Sequence, residues 1–198
     1  MLHCCLSKRI IKTIILIRQM RICHSRISEW STNYRFWVLN IYGPAQHSCS
    51  DDFIREVKDF CTNENLPILM GGDFNLIRNN KERNQGHGDP RLMGLFNNFI
   101  RDLQLREIHV SGVKFTWSNK QQNPTLVKLD RILATTCWDI HFSSAFAWSK
   151  ARVGSDHSPL VLGTGDRRDN KAKYFYFQEK NGSYQKILKR ELLISGLI

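Results

Sequence analysis

Two apolar periodicities alternate along the 198-residue chain. Residues Arg35 to Tyr42 are rich in aromatic and β-branched side chains and stop at Gly43-Pro44, which predicts a strand followed by a turn. Ser50 suits an N-cap and Asp51 and Asp52 place acids in a first turn. Phe53, Val57, Phe60 and Cys61 then recur at helical spacing, which predicts an amphipathic helix packed on a sheet. Leu66 to Met70 is a short apolar run ended by Gly71-Gly72, as in a buried strand that delivers Asp73-Phe74-Asn75 into a loop. Leu92, Leu95, Phe96, Phe99, Ile100 and Leu103 predict a second helix by the same spacing. Further strands are expected over 113–118, 126–134, 142–148 and 158–162, giving a layered α/β protein with a mixed sheet, two helices and many short strands.

Composition divides the chain into three zones. Residues 1–21 form a basic, Ile-rich, acid-free leader, residues 22–163 hold the globular signals, and 164–198 form a basic polar tail in which Tyr174 to Phe177 is the apolar stretch. The leader lacks a secretory cleavage pattern; its Arg-rich, acid-poor character is that of a mitochondrial-type presequence, but an irregular or fortuitous leader is the preferred reading. Its apolar run Ile14 to Ile17 is bracketed by Lys12 and Arg18, far short of the roughly 18–20 apolar residues that cross a membrane, so no membrane partner is expected. Six scattered cysteines show no Cys-x-x-Cys spacing, which argues against a zinc site or a disulfide scaffold and favours a nuclear or cytoplasmic setting over a secreted one. The net charge of +11 suggests a polyanionic partner, but it is unevenly placed. Lys and Arg outnumber Asp and Glu by 6 to 1 over residues 1–30 and by 8 to 4 over 166–198, yet only by 15 to 13 over 31–165. Any affinity for DNA is therefore expected from the basic ends.

Polar groups gather at the ends of the expected strands. Asp73 and Asn75 leave one strand, Asp130 lies in Leu129-Asp130-Arg131-Ile132-Leu133, and Asp156-His157 immediately precede another. Acids, an amide and an imidazole on a rigid sheet suit a catalytic site. Taken singly, Asp73 and Asp156 also suit turns or caps, and Asp130 could pair with Arg131.

Their order along the chain resembles the endonuclease/exonuclease/phosphatase superfamily, which includes DNase I and the AP endonucleases. Within it the sequence is most similar to the apurinic-type endonuclease domain of plant LINE-type (non-LTR) retrotransposons. The segments that carry the resemblance are Asn40-Ile41-Tyr42-Gly43-Pro44, Gly71-Gly72-Asp73-Phe74-Asn75, Lys114-Phe115-Thr116-Trp117-Ser118-Asn119, Leu129-Asp130-Arg131-Ile132-Leu133 and Ser155-Asp156-His157-Ser158-Pro159. The resemblance covers about residues 22 to 163. The resemblance implies a two-layered α/β sandwich and a divalent-metal-dependent phosphodiester hydrolase that cuts DNA.

By the same resemblance, Asp73 orients or deprotonates the attacking water and Asn75 hydrogen-bonds the scissile phosphate. His157 contacts a phosphate oxygen or moves a proton, Asp130 fixes its tautomer, and Tyr42 donates a phenolic hydrogen bond. Asp156 and Asp73 would hold Mg²⁺, with Mn²⁺ as a substitute, because carboxylates suit hard cations. Trp117 is expected to pack under the site rather than stack on DNA. Relatives open with two further strands, one ending in a functional Asn and one in a metal-binding Glu. Nothing in residues 1–34 matches either, and Ala45-Gln46 stand where many AP endonucleases have Asn after Pro. The expectation is an N-terminally truncated copy, missing its first strands, with exposed apolar surface and impaired activity. An inactive retrotransposon remnant that binds DNA weakly, or a phosphatase of small phosphorylated substrates, are the alternatives.

Overall fold

The computed structural model describes residues 14–16, 22–29, 33–152, 154–165, 174–178, 184–188 and 191–194. In chain order, the elements up to the first long loop are β1 (Ile14–Leu16), β2 (Ile22–Ser28), β3 (Arg35–Tyr42), α1 (Ser50–Asn63) and β4 (Ile68–Asp73). There follow α2 (Pro90–Asp102), β5 (Leu105–Glu107), β6 (Val110–Ser111), β7 (Trp117–Ser118), β8 (Leu126–Val127) and β9 (Asp130–Thr135). The remaining elements are α3 (Thr136–His141), β10 (Phe146–Ser149), β11 (Leu160–Gly163), β12 (Tyr174–Gln178), β13 (Tyr184–Leu188) and β14 (Glu191–Ile194). Apart from these short strands, the leader and the tail lie outside the described residues.

A six-stranded mixed sheet runs in the order β1-β2-β3-β4-β9-β5, and a four-stranded sheet in the order β14-β11-β10-β6. β3 shows why the two pack as they do. Its residues Phe36 to Leu39 are all buried, so the strand is covered on both faces. Trp37, Leu39 and Ile41 face the helices, where Phe53, Ile54 and Val57 of α1 and Leu92, Phe96, Phe99 and Ile100 of α2 close one core. The alternate residues Phe36 and Val38 face the second sheet and meet Ala147, Leu160 and Leu162 in the other core. Two sheets thus lie face to face with α1 and α2 covering the larger one, the expected α/β sandwich.

Both helices form where their apolar spacing places them. The Asp89 side chain accepts from Arg91 N to cap α2, and Pro90 takes the first turn, where its missing N–H is not needed. The cap expected at Ser50 falls one residue into α1, since Cys49 is the N-cap and its side chain makes no capping bond to the helix.

Several expected strands are shorter. The run 113–118 is a strand only at Trp117–Ser118, and 126–134 breaks between β8 and β9 because Lys128 N donates to Glu82 O and Leu129 O accepts from Phe74 N. The run 142–148 starts late, since Phe142 and Ala145 close turns behind α3, a helix that the periodicity missed. Strand β2 was also unexpected. The large apolar side chains exposed among the described residues are Tyr42 and Ile140, so the expected apolar surface is not found there. No helix among them is long and apolar enough to cross a membrane.

Candidate active site

Three neighbouring strands end at the same level. β3 and β4 are parallel with Tyr42 opposite Asp73, and β4 and β9 are antiparallel with Asp73 opposite Asp130. Strand pairing alone therefore sets Tyr42, Asp73 and Asp130 abreast at one edge of the sandwich. His157 comes from the segment that leads into β11 of the second sheet, three residues before it, and is held opposite Trp117 by an isolated antiparallel bridge. Its Nδ1 lies 2.9 Å from Asp130 Oδ2, and its Nε2 lies 3.8 Å from Asp73 Oδ2. The two acids and the imidazole are 2%, 0% and 5% exposed, so the group is enclosed by protein.

The turn after β4 positions Asp73. Gly72 has φ 133° and a Cβ there would stand 2.2 Å from Ile41 O, while a Cβ on Gly43 would stand 2.3 Å from Phe74 O. Glycine lets the β3 and β4 ends approach this closely. Asn75 adopts φ 52°, a left-handed conformation that Asn tolerates better than most residues. From there its backbone N–H donates to Asp73 Oδ1 at 2.8 Å, and its Nδ2 donates to Asp73 Oδ2 at 2.9 Å and to Gly43 O at 2.8 Å. Both amide hydrogens are thus engaged within the protein, and Asn75 acts here as a clamp on Asp73 rather than as a free donor.

Electrostatics follow from this enclosure. Burial and the neighbouring Asp130 charge push Asp73 up to about 6, against the Asn75 N–H and His157, which hold it down. Burial disfavours a charged His157, but the hydrogen bond to Asp130 and the charges of Asp130, Asp73 and Asp156 outweigh it and raise its pKa. A carboxylate can only accept, so Nδ1–H points at Asp130 and Nε2 faces Asp73.

Asp73, Asp130 and His157 each offer a ligand atom, all within 4.8 Å of one another. Asp130 Oδ1 is buried without a hydrogen-bond partner, which a cation would satisfy, and the two carboxylates suit a hard divalent ion. Asp156, expected beside Asp73 as a ligand, stands outside this group. Its Oδ2 accepts from Trp117 Nε1 at 2.8 Å, which places Trp117 beside the site as a support. Although burial opposes it, that bond together with the His157 and Lys120 charges keeps the Asp156 pKa low. Tyr42 is 46% exposed and stands at the rim.

Sequence reasoning missed Thr116. Its buried Oγ1 accepts from Leu129 N at 3.0 Å and Asp130 N at 2.9 Å, and its backbone O accepts from Ser158 N at 2.7 Å. It ties the segments that carry Asp130 and His157, and only its place in Phe115-Thr116-Trp117 could have pointed to it. The alternative Asp130–Arg131 pair does not form. Arg131 points to the opposite face and pairs with Glu82 and Glu107.

No protein-family model matches the sequence, and no curated protein matches it. The fold matches solved structures. The endonuclease domain of TRAS1, a telomere-specific non-LTR retrotransposon, superposes with a TM-score of 0.58 at 15% identity, over 81% of this chain and 70% of that one. The human Nocturnin catalytic domain is matched at 13% identity over 79% of this chain and 60% of that one, with a TM-score of 0.45. An endonuclease/exonuclease/phosphatase protein from Bacteroides vulgatus is matched at 14% identity over 71% and 53%, with a TM-score of 0.45. At these identities the likeness speaks to architecture alone, and the TRAS1 match carries it: the architecture is a two-layered α/β sandwich of the DNase I type.

Proposed function

We propose that the chain is a retroelement-derived, divalent-metal-dependent phosphodiester hydrolase that acts on DNA. The observation that carries this reading is the enclosed Asp73–His157–Asp130 group, assembled from both sheets at one edge of the sandwich. The Phe115-Thr116-Trp117-Ser118-Asn119 and Leu129-Asp130-Arg131 segments, by their resemblance to plant LINE-type domains, support a retroelement origin, and the fold shared with the TRAS1 endonuclease domain fits it.

Asp73 and the free Oδ1 of Asp130 would hold Mg²⁺ or Mn²⁺, with Asp156 adding negative charge at the rim. A bound divalent ion supplies charge neutralisation on the phosphate and a more acidic water. Asp73, clamped by Asn75, would orient the attacking water. Asp130 holds His157 with Nε2 on the Asp73 side of the site, so that a protonated His157 would donate to a non-bridging phosphate oxygen bound there and stabilise charge as it builds up. Tyr42 donates its phenolic O–H to the same phosphate from the rim.

We infer further that this chain turns over slowly. Among the described residues the compact ligand group holds two carboxylates and no glutamate, one of them pushed towards protonation and the other engaged with His157. Loss of groups that support a metal ligand typically costs 10–100-fold in such sites, and a missing ligand costs at least that. The test is plasmid nicking with Mg²⁺ by the wild type beside His157→Ala. Weak nicking that His157→Ala removes is the expected result. A robust rate removed by that substitution would overturn the impairment, and nicking indifferent to His157 would overturn the assignment.

A further inference from the structure

We propose that Arg83, Lys120 and Arg152 form a phosphate-binding track for duplex DNA along the flank of the site. The inference rests on the reading of that site as a phosphodiester hydrolase and locates DNA affinity in the folded domain rather than in the basic ends.

Most ion-paired cations of the domain are tied to carboxylates. Arg55 pairs with Asp52, Lys58 with Asp102, Arg91 with Asp51 and Arg106 with Asp139, while Arg78, Lys128 and Arg131 share Glu107. Arg83, Lys120 and Arg152 are held differently. Arg83 Nε donates to Gln85 O at 2.7 Å and its Nη1 to His87 O at 3.0 Å. Lys120 Nζ donates to Gly154 O at 3.1 Å. Arg152 Nε and Nη2 donate to Ser158 Oγ at 3.3 and 3.1 Å, and its Nη2 also reaches Thr116 O at 3.3 Å. Carbonyl and hydroxyl oxygens fix a cation in place without forming an ion pair, although the Lys120 charge is also felt by the Asp156 carboxylate. Each head group also keeps further N–H donors, since a guanidinium has five and an ammonium three.

The three lie on segments that run side by side beside His157. Arg83 bridges Val127, Val127 pairs with Trp117, and Trp117 bridges His157, whose neighbour Ser158 holds Arg152. Lys120 follows β7 and reaches Gly154 in the loop before Asp156. At about 4.8 Å per strand step, the path from the Arg83 segment to the His157 segment spans roughly 14 Å, or about four base-pair rises of 3.4 Å. A small phosphate ester meets one such cation at a time, whereas a nucleic-acid backbone meets all three. The flank is also rigid before anything binds. Asn84 N donates to Leu126 O at 3.1 Å, Leu126 N donates to Asn84 Oδ1 at 2.8 Å, and Gln85 Nε2 donates to Thr125 Oγ1 at 3.1 Å. Cations held in place in advance lose less side-chain freedom on binding.

The experiment measures affinity of the full chain for a short fluorescent DNA duplex, in EDTA so that no cutting occurs, across a salt series. Each lost phosphate contact should flatten the slope of log affinity against log salt by about 0.9. Lys120→Gln is therefore expected to flatten it by about 0.9 and the triple Arg83→Gln, Lys120→Gln, Arg152→Gln variant by up to about 2.7. Lys58→Gln with Arg106→Gln, both carboxylate-paired and elsewhere on the surface, should leave it unchanged. Lys120→Gln alone decides the matter if the triple variant fails to fold, because that side chain is exposed. A wild-type slope in Lys120→Gln, and in the triple variant where it folds, would overturn the track and return the affinity to the chain ends. Nicking by the wild type and His157→Ala tests the hydrolase reading separately, so either can fail without the other.

Discussion

At the scale of single residues, the site is bought with stability. Asp73 is 2% exposed with a pKa raised to about 6 from an ordinary 3.8, so its ionised form is disfavoured by folding. For an acid with a raised folded pKa the penalty is absent below pH 3.8, grows as the pH rises to about 6, and stays at its full size above that. In the absence of a divalent ion, Asp73→Asn is therefore expected to raise stability at pH 7 by an amount on the order of 1–3 kcal/mol and to lose that advantage near pH 4. Urea unfolding at the two pH values in EDTA checks this, and equal gains at both would contradict the assigned ionisation. Asn75 offers a second test, because it combines a left-handed backbone with the Asp73 clamp. Asn75→Gly keeps that backbone without strain and removes the side-chain half of the clamp, while Asn75→Ala removes the same half and adds about 1 kcal/mol of left-handed strain. Both should slow nicking alike, with Asn75→Ala the less stable in thermal melts.

At the scale of elements, what was legible in the sequence was local. Tyr42, Asp73 and Asn75 sit where an apolar run stops and Asp130 and His157 where one is about to begin, and such a boundary shows in a few neighbouring residues. α1 and α2 were legible because one face of each is apolar over three turns or more. Thr116, the Asn75 clamp and the Arg131 network were hidden, since their partners lie far along the chain. α3 was hidden because six residues show too little of a helical period. The Arg131 network makes its own prediction. Glu107 accepts from Arg78, Lys128 and Arg131, and Glu82 accepts from Arg131 and from Arg78 N, so the loop after β4 is tied to β5 and β9. Burial alone would raise Glu107, but the Arg131 charge and the Lys128 and Arg78 bonds bring it down to about 2. Its folded pKa is depressed, so the stabilisation is complete above about pH 4.5 and is lost as the pH falls towards 2. Glu107→Gln should therefore be less stable than wild type at pH 7 by about 3 kcal/mol, with the gap closing in that acid window. Acid unfolding followed by tryptophan fluorescence reads this directly.

At the scale of the molecule, the site exists only while the two sheets keep their register. Asp73 and Asp130 belong to the larger sheet, His157 leads into the smaller one, and the 2.9 Å bond between His157 and Asp130 spans the seam. The apolar layer between the sheets, with Ile132, Ala134, Leu160 and Leu162 among its buried residues, sets that distance. The helical layer, with Phe99 in α2, supports the larger sheet from its other face. Truncation in either layer leaves a cavity: Leu160→Ala is expected to cost about 2–5 kcal/mol and Phe99→Ala about 3–5 kcal/mol. Their effects on the site should differ despite that similarity. Leu160 lies three residues beyond His157 and between the sheets, so its loss loosens the seam. Loss of Phe99 leaves both sheets facing each other as before. The readout is the His157 titration followed by NMR, which needs no catalysis. In the wild type it should lie above the ordinary histidine value because Asp130 faces Nδ1. Leu160→Ala should shift it towards the ordinary value, whereas Phe99→Ala should leave it in place while losing as much stability. A His157 titration that follows stability alone, and moves equally in both variants, would show that the seam does not set the site.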